Sequence, residues 1–217
     1  MSDPNSSRRR PHPIFARLYE RLSQKTEANG NAAHRRELLD GLTGRVIEVG
    51  AGNGLNFAHY PTTITEVVAV EPEPYLRQRA AERAEDAAVA ITVVDGTANQ
   101  LPADDASFGA AVVSLVLCSV DDQHTALAEA HRVLRPGGEL RFYEHVVANH
   151  PRLARIQRAL DRTIWPRVGG GCHASRDTLT AIEANGFTIE NHRRFQFRPA
   201  LILAITAPHI LGTARRT

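Results

Sequence analysis

The chain has 217 residues, of which 42% are hydrophobic and 23% are charged. Its length suits one domain of ordinary size, and its apolar content excludes collagen, coiled coil and disorder along the whole chain. A net charge of +2 indicates no surplus of basic residues for strong polyanion binding, so we expect no nucleic-acid partner. The two cysteines, Cys118 and Cys172, have neither disulfide-framework nor metal-ligand spacing, which favours a reduced, cytoplasmic protein.

The N-terminal segment combines three consecutive arginines, residues 8–10, with serine and proline. No apolar segment follows them, so we predict a disordered tail at residues 1–13 and neither a signal peptide nor a membrane anchor. No stretch elsewhere reaches the roughly 18 apolar residues that a membrane span needs. Residues 14–217 are predicted to form a single domain, with N-terminal helices at 14–44, a core at 45–145, and a lid with C-terminal strands at 146–217.

Apolar segments of strand length alternate with helical patterns along the chain. Helices are predicted at residues 14–23, 32–42, 75–88, 123–134, 152–165 and 175–185. Strands are predicted at residues 45–49, 66–71, 90–95, 108–118, 139–145, 187–195 and 209–215, with a helix stop and turn at 135–138. Because parallel strands need crossover connections, this alternation predicts an α/β fold with a doubly wound, mostly parallel sheet covered on both faces.

The predicted helix at 152–165 has one apolar face and one basic face. Its apolar residues are Leu153, Ile156, Leu160 and Ile164, and Pro166 is predicted to end it. The basic face leaves two interpretations open, a lid over the substrate or a contact with a lipid surface; we favour the lid. The next helix has Ser175 as its predicted N-cap and Gly186 as its stop, and residues 200–207 have no assignable periodicity.

A glycine-rich turn, EVGAGNG at residues 48–54, closes the first strand and is predicted to open a helix. Glycines at such a turn let a ligand approach the backbone N–H groups. The third glycine comes one residue earlier than in the dinucleotide fingerprint, and Glu48 would repel a pyrophosphate but suits a cationic amino group. The turn therefore favours S-adenosylmethionine over a nicotinamide dinucleotide.

Acidic residues stand at the ends of three successive predicted strands: Glu48, Glu71 and Asp95. Glu71 is placed to accept both ribose hydroxyls of a nucleoside. Asp95, followed by Gly96 and Thr97, offers an acceptor for an exocyclic adenine amine. Three acids at one edge of the sheet predict a single nucleoside site.

These motifs, with residues 101–108 and the sequence LRPGG at 134–138, resemble the class I S-adenosylmethionine-dependent methyltransferases over about residues 45–145. Asn56 with Tyr60 and Pro61, LCSV at 117–120, EHV at 144–146, and GC at 171–172 are similar to the alkyl thiol S-methyltransferase-like branch. Relatives in that branch carry an N-terminal hydrophobic membrane segment that this sequence lacks, so the resemblance does not extend to membrane residence.

The resemblance implies a Rossmann-like seven-stranded sheet whose last strand is antiparallel, a helical lid, S-adenosyl-L-methionine as cofactor and S-adenosyl-L-homocysteine as product. The cofactor-binding residues that the motifs and the resemblance imply are Glu48, Gly50, Ala51, Gly52, Asn53, Gly54, Glu71, Pro72, Asp95, Gly96, Thr97 and Leu115.

Methyl transfer from a sulfonium is an in-line displacement, to which alignment of the reactants contributes roughly 7 kcal/mol and a general base about 10²-fold in rate. A thiol needs the least help because a few per cent of it is already thiolate at pH 7. His145 and His173 are the predicted catalytic residues, as base or positioning groups. We expect no covalent role for Cys118, and no required metal because the histidines lack ligand spacing.

The leading hypothesis is a methyltransferase that acts on a small apolar molecule, with sulfur as the favoured acceptor atom and oxygen, nitrogen or carbon left open. An NAD-linked oxidoreductase is disfavoured by the glycine spacing. A nucleic-acid base methyltransferase is disfavoured because the fourth strand ends in LCSV, without the Asn/Asp-Pro-Pro-aromatic tetrad that receives a flipped base. A non-catalytic binding protein built on the same fold is the alternative of a different class.

Overall fold

Seven strands form one sheet in the computed structural model, which describes residues 13–198 and 201–217. The strands are β1 (Gly44–Val49), β2 (Ile64–Val70), β3 (Ile91–Val94), β4 (Phe108–Ser114), β5 (Leu134–His145), β6 (Phe187–Gln196) and β7 (Pro208–Arg216). Their order across the sheet is β3-β2-β1-β4-β5-β7-β6. The first five strands pair in parallel, and β7 pairs antiparallel with β5 and β6. This arrangement confirms the predicted Rossmann-like sheet with its antiparallel last strand.

Helices cover both faces of this sheet. They are α1 (Pro13–Thr26), α2 (Ala32–Leu39), α3 (Pro74–Ala84), α4 (Gln123–Val133), α5 (Pro151–Asp161), α6 (Trp165–Val168) and α7 (Thr178–Ala184). The period-2 alternation of β4 divides its apolar side chains: Ala111 and Val113 pack in one core with α4 and α7, and Val112 packs in the other with α2 and α3. Among the described residues, no helix is both long and apolar enough to cross a bilayer.

The predicted helix after the glycine turn is wrong. Residues 52–56 form consecutive turns, and a short 3₁₀ helix, Phe57–His59, follows. Three residues of the turn, Gly50, Gly52 and Gly54, have φ angles of 69°, 57° and 77°. Left-handed backbone at every second residue cannot continue a right-handed helix, so the turn offers separate N–H groups rather than a helix N-terminus.

The predicted strand at 108–118 is too long, because β4 ends at Ser114. Leu115 has a φ of 60°, which breaks the extended backbone, and residues 116–118 form hydrogen bonds with a side chain instead of a neighbouring strand. α4 ends at Val133, so the helix stops as predicted, but the predicted turn at 135–138 belongs to β5, where Phe108 pairs with Leu134 before the register shifts.

The C-terminal third corrects three further predictions. The helix predicted at 152–165 divides into α5 and α6, and Pro166 lies at the start of α6, where its missing N–H costs no helical hydrogen bond. Its buried face is centred on Ala154 and Gln157, whereas Ile156 and Ile164 are exposed. The N-cap of α7 is Asp177 rather than Ser175, whose hydroxyl donates to Asp161 at 2.5 Å.

Two predicted segments lie partly outside the described residues. The tail predicted at residues 1–13 lies outside the described residues except for Pro13, which begins α1. The unassigned segment at 200–207 contains a 3₁₀ helix, Leu201–Thr206, that leads into β7.

Candidate functional site

A cavity of about 520 Å³ lies at the carboxyl edge of the parallel strands. Loops after β1, β2, β3 and β4 and the end of β5 surround it, and residues of α1 and α6 complete its wall. The predicted cofactor residues that border it are Gly50, Gly52, Glu71, Pro72, Thr97 and Leu115. Ligands of open α/β sheets bind at this edge, so the cavity is the candidate active site.

The glycine turn is held against the neighbouring strand end. The N–H groups of Gly50 and Ala51 both donate to the Val70 carbonyl, at 2.8 and 3.0 Å. A Cβ on Gly50 would lie 2.6 Å from the Val116 side chain, and its φ of 69° also disfavours other residues. Glycine is therefore required where the turn meets the loop after β4.

Glu71 is a buried carboxylate with unused acceptor capacity. It borders the cavity, and its two oxygens accept hydrogen bonds from the N–H groups of Gly52 at 2.8 Å and Glu73 at 2.9 Å. Burial raises its pKa above the usual range, and these two backbone bonds lower it in part. A carboxylate has about four acceptor positions, so two remain for hydroxyl groups of a ligand.

Glu48 lies behind the turn rather than at the cavity wall. It is 2% exposed and accepts hydrogen bonds from Asn56 Nδ2 at 2.8 Å and the Tyr60 hydroxyl at 2.7 Å. Burial raises the pKa of Glu48 to about 7. In this position its side chain secures the segment that follows the turn.

Asp95 also differs from its predicted position. Its side chain is 69% exposed, lies outside the cavity lining and accepts a hydrogen bond from Arg77 at 3.1 Å. Gly96 packs against Pro102 and Val70, because a Cβ there would lie 2.9 Å from each of them. Thr97, Ala98 and Asn99 are the residues of this loop that border the cavity.

Of the other predicted cofactor residues, some border the cavity and some do not. Pro72 and Leu115 border the cavity, whereas Ala51, Asn53 and Gly54 do not. The Leu115 N–H donates to the Tyr143 carbonyl at 2.7 Å, which holds this non-glycine residue at its positive φ. Backbone strain of this kind, worth about 1–3 kcal/mol, is concentrated at functional sites.

The loop after β4 is fixed by one buried carboxylate. Glu144, on β5, is fully buried and accepts hydrogen bonds from the N–H groups of Val116, Leu117 and Cys118 at 2.9, 2.9 and 3.1 Å. Burial raises the pKa of Glu144, and these hydrogen bonds oppose the rise. Residues 116–118 are therefore anchored to β5, and Val116 and Cys118 of this segment border the cavity.

His145 borders the far end of the cavity, beside both cysteines. Its Nδ1 lies 3.5 Å from Cys172 Sγ. A hydrogen bond with Cys118 and the neighbouring His145 lower the pKa of Cys172 against the effect of burial. His173, the second predicted catalytic residue, does not border the cavity, and its backbone N–H donates to the Cys118 carbonyl at 2.7 Å.

Aromatic rings form the wall beside His145. His209 stacks on Tyr143 and Phe195 and meets His145 edge-on, with ring centroids 4.6 Å apart. Burial lowers the pKa of His209 to about 3, so its ring is neutral at physiological pH, and its Nδ1 lies 2.8 Å from the Ala207 carbonyl. This end of the cavity suits an apolar ligand.

Sequence reasoning missed several residues that border the cavity. Tyr19 and Ser23 of α1 border it, but only the fold shows that α1 lies over the sheet edge. Asn99 follows the predicted adenine loop by two residues and could have been included with Thr97. The two cysteines come together with His145 from three distant segments, and in the sequence only the predicted strand-end position of Cys118 indicated the site.

Comparison with known proteins identifies the family. A family model described as a methyltransferase domain matches residues 47–142. Thiol S-methyltransferase TMT1B of Mus musculus is 36% identical over 213 residues, which cover 93% of this chain and 82% of that protein. The chain belongs to the class I S-adenosylmethionine-dependent methyltransferases. Thiol S-methyltransferase TMT1A of Homo sapiens is 32% identical over 84% of this methyltransferase and 78% of its own length.

Solved structures agree with the fold of this methyltransferase. An S-adenosylmethionine-dependent methyltransferase from Mesorhizobium loti has a TM-score of 0.61 at 24% identity, over 84% of this chain and 95% of that one. Geranyl diphosphate methyltransferase has a TM-score of 0.68 at 15% identity, over 87% and 79% of the two chains. At these identities the likeness concerns the fold alone.

The family implies S-adenosylmethionine as the cofactor and S-adenosylhomocysteine as the product, and the residues at the β1 and β2 end of the cavity suit this group. Glu71 has acceptor positions for vicinal hydroxyls, and Gly50 and Gly52 leave room beside the backbone. Asn99 borders the cavity, and its Oδ1 is buried without a hydrogen-bond partner in the described part of the chain. This oxygen could therefore accept a hydrogen bond from the exocyclic amine of adenine, which is predicted to bind at this loop.

Proposed function

We propose that this methyltransferase transfers the methyl group to the sulfur atom of a small, largely apolar thiol. The observation that carries the proposal is the 36% identity with a thiol S-methyltransferase over 93% of this chain. The apolar, aromatic wall beside His145 and His209 supports an apolar acceptor. A thiol acceptor suits a site with few groups that could act as a general base. The reason is that thiols ionise more readily than alcohols or ammonium groups.

In this proposal Glu71 binds the ribose hydroxyls, Gly50 and Gly52 contact the amino-acid portion through their backbone, and Thr97 and Asn99 hold the adenine. The bound cofactor supplies a methyl group already activated by the positive charge of its sulfonium. Residues 116–118, whose N–H groups donate to Glu144, would lie between the cofactor and the acceptor. Apolar residues of α1, such as Leu18 and Leu22, border the cavity and extend its apolar lining.

The two predicted catalytic histidines differ in position, because His145 borders the cavity and His173 does not. We propose that His145, which borders the acceptor end, contacts the acceptor side of the reaction. His173 would act on the site only through its backbone bond to the Cys118 carbonyl. Replacement of the His173 side chain by alanine should therefore lower kcat/KM less than replacement of the His145 side chain, and equal losses would contradict this division.

Carbon methylation is the second candidate. A ubiquinone/menaquinone biosynthesis C-methyltransferase UbiE of Syntrophotalea carbinolica is 30% identical over 73% of this chain and 70% of its own length. Its lower identity and coverage place it behind the thiol hypothesis.

The test is an acceptor panel with methyl-labelled cofactor and the purified full chain. Alkyl thiols, phenols, amines and quinols of matched size are compared at equal concentration, and Glu71→Ala serves as the binding-deficient control. We expect labelled thioether from the thiols at least about tenfold faster than any product from the other classes. Labelled quinol or phenol with no labelled thioether would overturn the proposal.

A further inference from the structure

Three soft ligand atoms meet at the acceptor end of the cavity. Cys118 lies in the loop after β4, His145 ends β5, and Cys172 lies in the loop after α6. Their two sulfurs and a ring nitrogen all lie within 4.8 Å of one another, and Cys172 Sγ is 3.5 Å from His145 Nδ1. All three residues border the cavity. Such convergence from distant segments requires an explanation beyond local packing.

The spacing suits a tetrahedral metal ion. Zinc bonds of about 2.3 Å to sulfur and about 2.0–2.1 Å to nitrogen give tetrahedral edges of about 3.6 Å between S and N and about 3.8 Å between two S atoms. The observed separation of 3.5 Å between Cys172 Sγ and His145 Nδ1 is close to that S–N edge. Small side-chain rotations would bring the Cys118 sulfur to the same centre.

We propose that Cys118, His145 and Cys172 bind one zinc ion, whose fourth coordination position opens into the cavity. Three protein ligands with one exchangeable position are the arrangement of catalytic zinc sites, whereas structural sites use four. Thiolate and imidazole are also the ligands that select zinc over magnesium or calcium. The sequence gives no metal-ligand spacing, and only the fold brings the set together.

The surroundings hold the ligands in place. The peptide groups on both sides of Cys118 are fixed, since its N–H donates to Glu144 at 3.1 Å and its carbonyl accepts from the His173 N–H at 2.7 Å. The Cys172 N–H donates to the Gly169 carbonyl at 3.1 Å. Outer contacts of this kind orient metal ligands.

A buried indole N–H lies beside the cluster. The Nε1 of Trp165 is buried, and its interaction with Cys172 is one of the effects that lower the pKa of that thiol. Trp165 borders the cavity, and its ring and Cys172 both lie against Gly169. A metal-bound thiolate at Cys172 would keep this N–H as an outer hydrogen-bond donor.

The site also suggests a role for the metal in the reaction, and this step rests on the proposed thiol acceptor. An alkyl thiol that takes the fourth position loses its proton to solvent and is held as a thiolate. The electron pair of that thiolate forms the new bond to the methyl carbon. The bond between the methyl carbon and the sulfonium sulfur breaks, and its electrons stay on the departing thioether. The transfer therefore needs no oxidant or reductant.

The test measures metal binding without cofactor or acceptor, so its outcome is independent of the proposed function. Full-length chain is purified under reducing conditions, stripped with a chelator and titrated with Zn²⁺ against a chromophoric competitor. We expect one equivalent per chain. Cys172→Ser and His145→Gln should each weaken binding by more than about 100-fold, because even changes to outer contacts cost about 10- to 100-fold in metal affinity.

The exposed His192 provides the matched control, and His192→Ala should bind Zn²⁺ like the unmodified chain. Cobalt titration gives a second readout, since thiolate-to-Co²⁺ charge-transfer absorption should appear in the unmodified chain and disappear in Cys118→Ser. Circular dichroism checks that each variant folds without metal. Equal Zn²⁺ affinity in folded Cys172→Ser and unmodified chain, or no Zn²⁺ binding by the reduced chain, would overturn the proposal.

Discussion

At the residue scale, two acidic residues with the same predicted role differ in their position relative to the cavity. Glu71 and Asp95 both follow strands, and both were predicted to bind the nucleoside. Glu71 is 6% exposed and borders the cavity, whereas Asp95 is paired with Arg77 outside it. The strand-end pattern locates the correct edge of the sheet but does not fix the direction of each side chain.

Glu71→Ala should weaken cofactor binding by about 2 kcal/mol, roughly 30-fold in Kd, because it removes charged hydrogen bonds to two hydroxyls. Isothermal titration calorimetry with S-adenosylhomocysteine measures the change. Asp95→Ala is the matched control, and its exposed position predicts a change of less than about 0.5 kcal/mol. Unchanged affinity in Glu71→Ala, or equal losses in both variants, would contradict this assignment.

The stability of the chain should depend on pH through Glu48. Its pKa rises from 4.5 to about 7 on folding because of burial, so the folded state binds its proton more tightly than the unfolded state. That contribution is fully present below about pH 4.5 and is lost as pH rises through about 7, which amounts to about 3 kcal/mol. Glu48→Gln removes the titration and should gain about that much relative stability between the two pH values.

Urea unfolding of the unmodified chain and Glu48→Gln across this range gives the measurement. A constant difference for Glu48→Gln would show that Glu48 does not titrate in this way.

At the element scale, α1 covers the cofactor end of the cavity through one buried carboxylate. Glu20 is 7% exposed and accepts hydrogen bonds from the Tyr75 hydroxyl at 2.5 Å and Arg79 Nε at 2.8 Å, both on α3. The Tyr75 bond is the largest of the effects that lower the pKa of Glu20. These hydrogen bonds attach α1 to α3, one of the helices that cover the sheet.

Tyr75→Phe should loosen α1, because it removes the hydroxyl donor and leaves the ring in place. A hydrogen bond of about 1 kcal/mol corresponds to about fivefold faster amide exchange in α1. Hydrogen exchange followed by mass spectrometry measures it, and Gln78→Ala, an exposed change on the same helix, is the control. Protection of α1 that is equal in both variants would exclude Tyr75 as its anchor.

At the scale of the whole molecule, periodicity predicted the sheet because each buried strand carries a run of apolar residues. β1, β2 and β6 begin and end within two residues of their predicted bounds. The errors occur where a tertiary contact overrides local pattern. Glu144 ends β4 early by taking the N–H groups of residues 116–118, and the left-handed glycines prevent a helix after β1.

The candidate site was predictable to a similar extent. Its cofactor end lies in one continuous segment from β1 to β2, so motif spacing identified Gly50, Gly52 and Glu71. The acceptor end combines Cys118, His145 and Cys172 from distant segments, and no spacing rule connects them. The predicted absence of a metal followed from spacing alone, and the zinc proposal replaces it on the basis of geometry.

Binding of the cofactor should stabilise the whole chain. A ligand that binds only the folded state at 100 times its Kd adds about 2.7 kcal/mol to the free energy of unfolding. Thermal unfolding should therefore shift upward with S-adenosylhomocysteine and stay unchanged with NADH. A shift with NADH alone would contradict the assignment of the nucleotide site.

The central claim is that one cavity holds the cofactor at its Glu71 end and the acceptor at its His145 end. A crystal structure of the full chain with S-adenosylhomocysteine tests it most directly. We expect both ribose hydroxyls within hydrogen-bond distance of the Glu71 carboxylate and the homocysteine sulfur facing the loop at Leu115. A nucleoside bound outside this cavity, or bound with its ribose directed away from Glu71, would contradict the account.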